Sequence, residues 1–210
     1  MNAPAVKIIE GLLSFFFGIS KNIRRLPEEP CLIVSNHNSA MDTYVLTSLL
    51  SARHAANTRV AAARDTFAGG AAAWFARKTL DIVLVERHPK GGRDPLQVLK
   101  DLLRDGRSLV IFPEGTRGEP GIMEHFKRGV GVLATAFPDF PVYPVYIHGV
   151  EKCLGRGDYL LVPFQMKLTA AETPLYGRDS IAGGRDERAA SLHFTERLEN
   201  AVRQLGGRPA

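Results

Sequence analysis

Two short clusters in this 210-residue chain combine residue types that can move a proton and hold an anion. The first is Ser35-Asn-His-Asn-Ser-Ala-Met-Asp42, which follows an apolar run and precedes the helix-like stretch 43–50. A histidine on a loop at a strand's carboxyl end stands where open α/β sheets place ligands. A carboxylate at His-x4-Asp spacing, in the first turn of the following helix, can reach back to one ring nitrogen of His37. That fixes the tautomer and supports the imidazolium that forms when the other nitrogen accepts a proton. No G-x-S-x-G elbow or Walker loop accompanies the pair, so the dyad of His37 and Asp42 suits activation of a substrate hydroxyl. The same letters also carry a plainer meaning. Ser39-x-x-Asp42 is a capping-box pattern, which starts a helix and needs no chemistry.

The second cluster is Phe112-Pro-Glu-Gly-Thr-Arg117, again after an apolar run. Pro113 and Gly115 make a turn, and Thr116 and Arg117 offer donors. A guanidinium in this place can grip phosphate with two prongs. A solvated turn with an Arg-Glu pair is the competing description. Phe126-Lys-Arg-Gly129 follows and adds positive charge near the same edge.

Something must hold these loops. Apolar runs at 31–35, 59–63, 82–86, 108–112, 142–148 and 160–169 read as strands. Helical patterns lie between them at about 39–53, 68–79, 94–105 and 127–137, with a last one near 185–205. The clearest is 94–105, where Asp94 can cap, Pro95 suits the first turn and Gly106 ends the helix. Alternation with short connections predicts an α/β fold: a single-domain sandwich with a mostly parallel central sheet flanked by helices. Gly129-Val-Gly-Val-Leu-Ala134 has the letters of a dinucleotide fingerprint but follows a basic loop, so helix packing is its expected role.

Composition narrows the function classes. Hydrophobic residues make up 45% and charged residues 23%, which excludes disordered and collagen-like chains. Cys31 and Cys153 form no disulfide framework, and a reducing compartment is the default. His54, His88, His125, His148 and His193 are dispersed without ligand spacing, so no metal site is expected. The net charge of +5 favours anionic partners. With no zinc-finger spacing or aromatic-basic RNA motif, nucleic acid is not the expected one.

Residues 1–30 hold a separate feature. The apolar stretch 8–19 is too short to span a bilayer, is interrupted by Glu10 and is followed by Lys21, Arg24 and Arg25. Three successive phenylalanines, Phe15, Phe16 and Phe17, cannot all face one core. The segment therefore reads as an amphipathic helix in contact with the membrane interface, its basic end on lipid phosphates, ahead of a catalytic domain at 31–210. A helix docked on the protein's own core is the alternative.

Taken together, the two clusters resemble the glycerolipid acyltransferases, the group that contains 1-acylglycerol-3-phosphate acyltransferase. Asn36-His-Asn-Ser-Ala-Met-Asp42 matches the family's N-H-x-S-x-x-D block. Ile82-Val-Leu-Val-Glu-Arg87 resembles the second block, Phe112-Pro-Glu-Gly-Thr-Arg117 matches the third, and Val142-Tyr-Pro-Val-Tyr-Ile-His-Gly149 matches the fourth. One departure is Asp81, where relatives often carry glycine.

The resemblance implies that His37 is the general base on an acceptor hydroxyl and that Asp42 orients and charge-stabilises it. It places the acceptor phosphate against Glu114, Gly115, Thr116 and Arg117, with help from Arg87, and has Pro144 and its strand shape the site. It implies no cofactor, with acyl-CoA or acyl-carrier protein as the thioester co-substrate. The implied acceptor is a lysophospholipid or glycerol phosphate, most readily 1-acylglycerol-3-phosphate, met at the cytoplasmic face of an anionic membrane. A thioesterase using the dyad on water and a non-catalytic membrane-binding module are the competing functions.

Overall fold

The computed structural model describes residues 1–64, 71–87, 92–119, 121–150, 165–182 and 184–207. Among these, seven strands form one sheet: β1 (Ile19–Lys21), β2 (Leu32–Ser35), β3 (Thr58–Ala63), β4 (Ile82–Val85), β5 (Ser108–Ile111), β6 (Val142–His148) and β7 (Met166–Ala170). Their spatial order is β1-β7-β6-β2-β5-β3-β4. The five from β6 to β4 run parallel; β7 pairs antiparallel with β6, and β1 pairs parallel with β7. β2 and β5 are buried along their whole length, as expected of parallel strands covered on both faces. The α/β class with a mostly parallel sheet, expected from the alternating pattern, is what the chain adopts.

The pleat divides the core in two. Ile33 and Val110 point to one face, where α1 (Ala3–Phe17), α2 (Asp42–Leu46), α3 (Ala52–Asn57) and α4 (Ala71–Leu80) lie. Leu32, Val34, Leu109 and Ile111 point to the other, which is covered by α5 (Gln97–Arg104), α6 (Gly129–Ala136) and α8 (Glu187–Leu205), with the short α7 (Arg178–Ile181) beside α8. The second glycine of the fingerprint-like stretch serves packing: a Cβ on Gly131 would lie 2.0 Å from the Ser191 carbonyl oxygen of α8. Glycine is what lets the two helices approach this closely.

Several boundaries differ from the sequence pattern. The helix expected over 39–53 is broken, because a 3₁₀ turn at Thr47–Leu49 leads into an extended Leu50 and Ser51 caps a new helix through His54 N–H. Lysines reach the carbonyls at the break, of which Thr47 O also accepts from Leu50 N–H at 3.0 Å. Lys7 Nζ donates to Thr47 O and Leu50 O, and Lys21 Nζ to Ser48 O at 2.8 Å. Lys21 is thus turned onto the protein rather than onto lipid phosphate, and burial lowers its pKa. Asp94 accepts from Leu96 N–H in a turn, so α5 begins three residues later than its pattern suggests. The strand expected over 160–169 begins outside the described residues and is observed as Met166–Ala170; residues 68–70 of the expected helix 68–79 and Cys153 also lie outside them.

The amino-terminal helix divides its apolar residues between two environments. Val6, Leu13 and Phe17 are buried against the core, while Ile8, Leu12, Phe15 and Phe16 are exposed on the opposite side. One side of the helix is thus docked on the protein's own core and the other leaves apolar residues on the surface, and the helix ends at Phe17 because Gly18 takes φ 66° and hands the chain to β1. Asp81 precedes β4 at φ 53°, a left-handed conformation that glycine adopts freely and aspartate tolerates. The departure at this position keeps the backbone shape, and its carboxylate pairs with Arg59 Nε at 2.8 Å.

His54 is nearly fully buried at the amino end of the strands, where Nε2 lies 3.0 Å from Ser108 Oγ. Ser108 begins β5, whereas the Phe112–Arg117 cluster follows its end. The His54–Ser108 pair is a buried tie between α3 and the sheet, and burial lowers the histidine's pKa.

Candidate active site

β2 and β5 are adjacent and parallel, with Val34 opposite Ile111. The loops that leave their carboxyl ends must meet, although 77 residues separate His37 from Glu114. That contact is built on the backbone of His37 and the carboxylate of Glu114. His37 N–H donates to Glu114 Oε1 at 2.7 Å, and Gly118 N–H donates to His37 O at 3.0 Å. On the far side, Asn36 forms a paired contact with Ile147 of β6, accepting from its N–H at 2.8 Å and donating to its carbonyl at 3.1 Å. The histidine loop is thereby fixed to the strands on both flanks.

Asp42 begins α2 and is almost wholly buried. Its Oδ2 lies 2.9 Å from His37 Nδ1 and also accepts from Asn38 N–H at 2.7 Å and Ser39 N–H at 2.8 Å. The bond to Ser39 N–H is half of a capping box, and Ser39 Oγ in turn accepts from Met41 N–H. One oxygen serves both meanings of the sequence pattern. Since a carboxylate only accepts, Nδ1 is the donor of this contact, and in the neutral ring that tautomer leaves Nε2 with its lone pair. The ring stacks on Phe112, centroids 4.1 Å apart and planes at 21°, which holds its orientation.

His37 lines a cavity of about 860 Å³. Its walls are mostly apolar, from β3 and β4 with Tyr44, Phe75 and Leu80 on one side and Leu96, Leu99 and Leu133 on the other. Arg87, Gly115, Thr116 and Arg117 line the same cavity, as does Lys127. The cations are gathered around one turn. Gly115 takes φ 77°, Arg87 Nη2 donates to its carbonyl, and a Cβ placed on it would lie 2.7 Å from Lys127 Nζ. Lys127 N–H donates to Pro113 O at 2.9 Å, which ties the two segments together. Neither Arg117 nor Lys127 has an acidic partner among the described residues, so their charge is open to an anion. The sequence held the signal for Lys127 in Phe126-Lys-Arg-Gly129, but only as general positive charge.

Two expected site residues are placed elsewhere. Glu114 does not line the cavity: it is buried, and its oxygens accept from His37 N–H and from Glu124 N–H at 3.0 Å. A carboxylate would repel phosphate, and this one joins the two loops instead. Burial pushes it up to about 7, against the pull of those two N–H groups. Pro144 lies within the sheet beside Val34 and is not part of the cavity wall.

Comparison with known proteins gives a consistent set of relatives. A family model described as Acyltransferase matches residues 18–148. The chloroplastic 1-acyl-sn-glycerol-3-phosphate acyltransferase BAT2 of Brassica napus is 30% identical over 161 residues, covering 75% of this chain and 44% of that protein. The 1-acyl-sn-glycerol-3-phosphate acyltransferase alpha of Homo sapiens is 29% identical over 163 residues, covering 71% of this chain and 54% of that protein. The chain thus spans about half the length of the curated relatives it matches. In fold it is similar to the crystal structure of the 1-acyl-sn-glycerophosphate acyltransferase PlsC from Thermotoga maritima, with a TM-score of 0.69 at 20% identity, covering 98% of this chain and 81% of that one.

Proposed function

The chain belongs to the Acyltransferase family, and from that premise we propose that it moves a fatty acyl group from a thioester donor, acyl-CoA or acyl-carrier protein, to the free hydroxyl of 1-acylglycerol-3-phosphate. The observation that carries this reading is the His37–Asp42 contact at 2.9 Å on the rim of an apolar cavity that also presents Arg87, Arg117 and Lys127.

His37 Nε2 takes the acceptor's hydroxyl proton as its oxygen attacks the thioester carbonyl. Asp42 stabilises the imidazolium that results. The tetrahedral intermediate collapses with cleavage of the C–S bond, and the proton held on His37 passes to the departing sulfur. A thiol of pKa roughly 8.5 is a good leaving group and needs little help. The step uses two substrates and no cofactor. Arg117, Arg87 and Lys127 hold the acceptor phosphate, and the apolar walls take acyl chain.

Kinetics of Arg117 variants test the phosphate assignment. Hydrogen bonds to charged groups contribute about 1.5–3 kcal/mol, so Arg117→Ala should raise the acceptor KM on the order of ten- to a hundred-fold. Arg117→Lys should recover only part of that, because an ammonium cannot reproduce the planar fork. The donor KM should move less. A defect confined to the donor KM would assign this arginine to the donor's phosphates instead.

The same reading makes the protein peripheral, on the cytoplasmic face of a membrane. Among the described residues no helix is long and apolar enough to cross a bilayer. α1 nevertheless exposes Ile8, Leu12, Phe15 and Phe16, α4 exposes Trp74 and Phe75, and Arg24 and Arg25 follow α1 on the surface. Burying one phenylalanine is worth about 1.5–3 kcal/mol. Phe15→Ser with Phe16→Ser should therefore lower binding to anionic vesicles by at least about a hundred-fold without a fall in melting temperature. Wild-type binding should weaken as salt rises. Undiminished vesicle binding by the double variant would remove α1 as the contact.

A further inference from the structure

The segment 123–127 has no helix or strand of its own, yet it delivers Lys127 to the cavity. Its backbone is fixed from outside at nearly every residue. Arg203 Nη2 donates to Met123 O at 3.3 Å, Glu124 N–H donates to Glu114, Phe126 N–H donates to Glu199 Oε2 at 2.8 Å, and Lys127 N–H donates to Pro113 O. Glu199 and Arg203 belong to α8, whose Leu198 and Val202 are fully buried in the second core. They are joined to each other, Arg203 donating from Nε and Nη2 to Glu199 Oε1 at 3.1 and 2.9 Å. His125 Nδ1 lies 2.9 Å from the same oxygen. Burial alone would raise the Glu199 pKa, but the Phe126 N–H, Arg203 and His125 hold it below the ordinary carboxylate value. At neutral pH it is a charged acceptor one residue away from Lys127.

We infer that Glu199 is a positioning residue: anchored on α8 and braced by Arg203, it holds the Phe126 backbone so that the Lys127 ammonium stays beside Gly115 in the phosphate site. The inference rests on the reading of Lys127 as a phosphate ligand given above. An unbranched lysine side chain has no fork to fix its direction, so the path of its own backbone decides where the charge stands. The Phe126 ring, buried in the second core, and the Glu199 contact are the two restraints immediately before it. Losing the second lets the ammonium drift, and displacement of a binding group by about an ångström costs heavily in the reaction it serves.

The test is steady-state kinetics of wild type, Lys127→Ala, Glu199→Ala, Glu199→Gln and the Lys127→Ala/Glu199→Ala double variant. Acyl-CoA and 1-acylglycerol-3-phosphate are varied in turn, with a melting temperature for each protein. Lys127→Ala should raise the acceptor KM roughly tenfold, Glu199→Ala should raise it several-fold with little change in the donor KM, and the double variant should be no worse than Lys127→Ala alone. Glu199→Gln keeps the length and one acceptor for Phe126 N–H, so it should fall between wild type and Glu199→Ala; it supplies the readout if the alanine variant does not fold. If Lys127→Ala leaves the acceptor KM at the wild-type value, the phosphate reading of Lys127 falls and the inference falls with it. If Lys127→Ala raises that KM but neither Glu199 variant does, or the double variant shows the two defects multiplied, the inference alone is overturned.

Discussion

Replacement of His37 by alanine should lower kcat by about 10²–10⁴-fold, the range for loss of a general base, while the protein stays folded. The side chain is partly exposed at the cavity rim, and its ring contacts are the stack on Phe112 and the bond to Asp42. The contacts that tie its loop to β5 and to the Gly118 segment are made by His37's own backbone N–H and carbonyl, which alanine retains. Turnover and stability should therefore separate. Purified His37→Ala with near wild-type kcat would remove the histidine from the reaction, and a large fall in melting temperature would make its role structural.

The second large effect is expected from Asp42→Asn. With the amide oxygen in the place of Oδ2, the bonds from Asn38 N–H, Ser39 N–H and His37 Nδ1–H can all persist, so the helix start and the ring orientation survive. What is lost is the negative charge facing the imidazolium. That should lower kcat on the order of 10²–10⁴-fold with only a small change in melting temperature. Asp42→Ala removes the cap as well and should in addition lose about 0.5–2 kcal/mol of stability. If Asp42→Asn keeps its turnover while its melting temperature drops, the carboxylate is a cap and nothing more.

Much of this arrangement was legible because parallel strands buried on both faces must be apolar throughout, and runs such as 31–35 and 108–112 are unambiguous. Two loops leaving neighbouring strands at the same end then have to meet, which makes the pairing of the His37 and Arg117 clusters a matter of topology. The adjacency of β2 and β5 is itself not written in either strand; it follows from the whole sheet order. Short or interrupted elements left weaker marks. β1 is three residues long and exists because β7 offers it an edge. The break after α2 depends on lysines from 7 and 21 reaching its carbonyls, a contact no local pattern contains.

The site was legible to a similar depth. His37 and Asp42 are close in sequence and carry a spacing rule. Glu114 has the residue type of a ligand, and only its burial and its two backbone N–H partners show it to be a joint between loops. Lys127 depends on the fold of an irregular segment whose restraints come from α8, more than seventy residues further on. Side chains that touch a reacting group declare themselves by type. Those that hold it in place do so through distances that only the folded chain defines.

The most direct test of acyl transfer is the stoichiometry of the products. Purified protein is incubated with acyl-CoA, and separately with acyl-carrier protein thioester, with and without 1-acylglycerol-3-phosphate, and the free thiol and lipid products are quantified by mass spectrometry. The account predicts one diacyl product per thiol released, and almost no thiol release when the acceptor is left out. Release of thiol and free fatty acid at an undiminished rate without acceptor would contradict it and make the His37–Asp42 pair an activator of water.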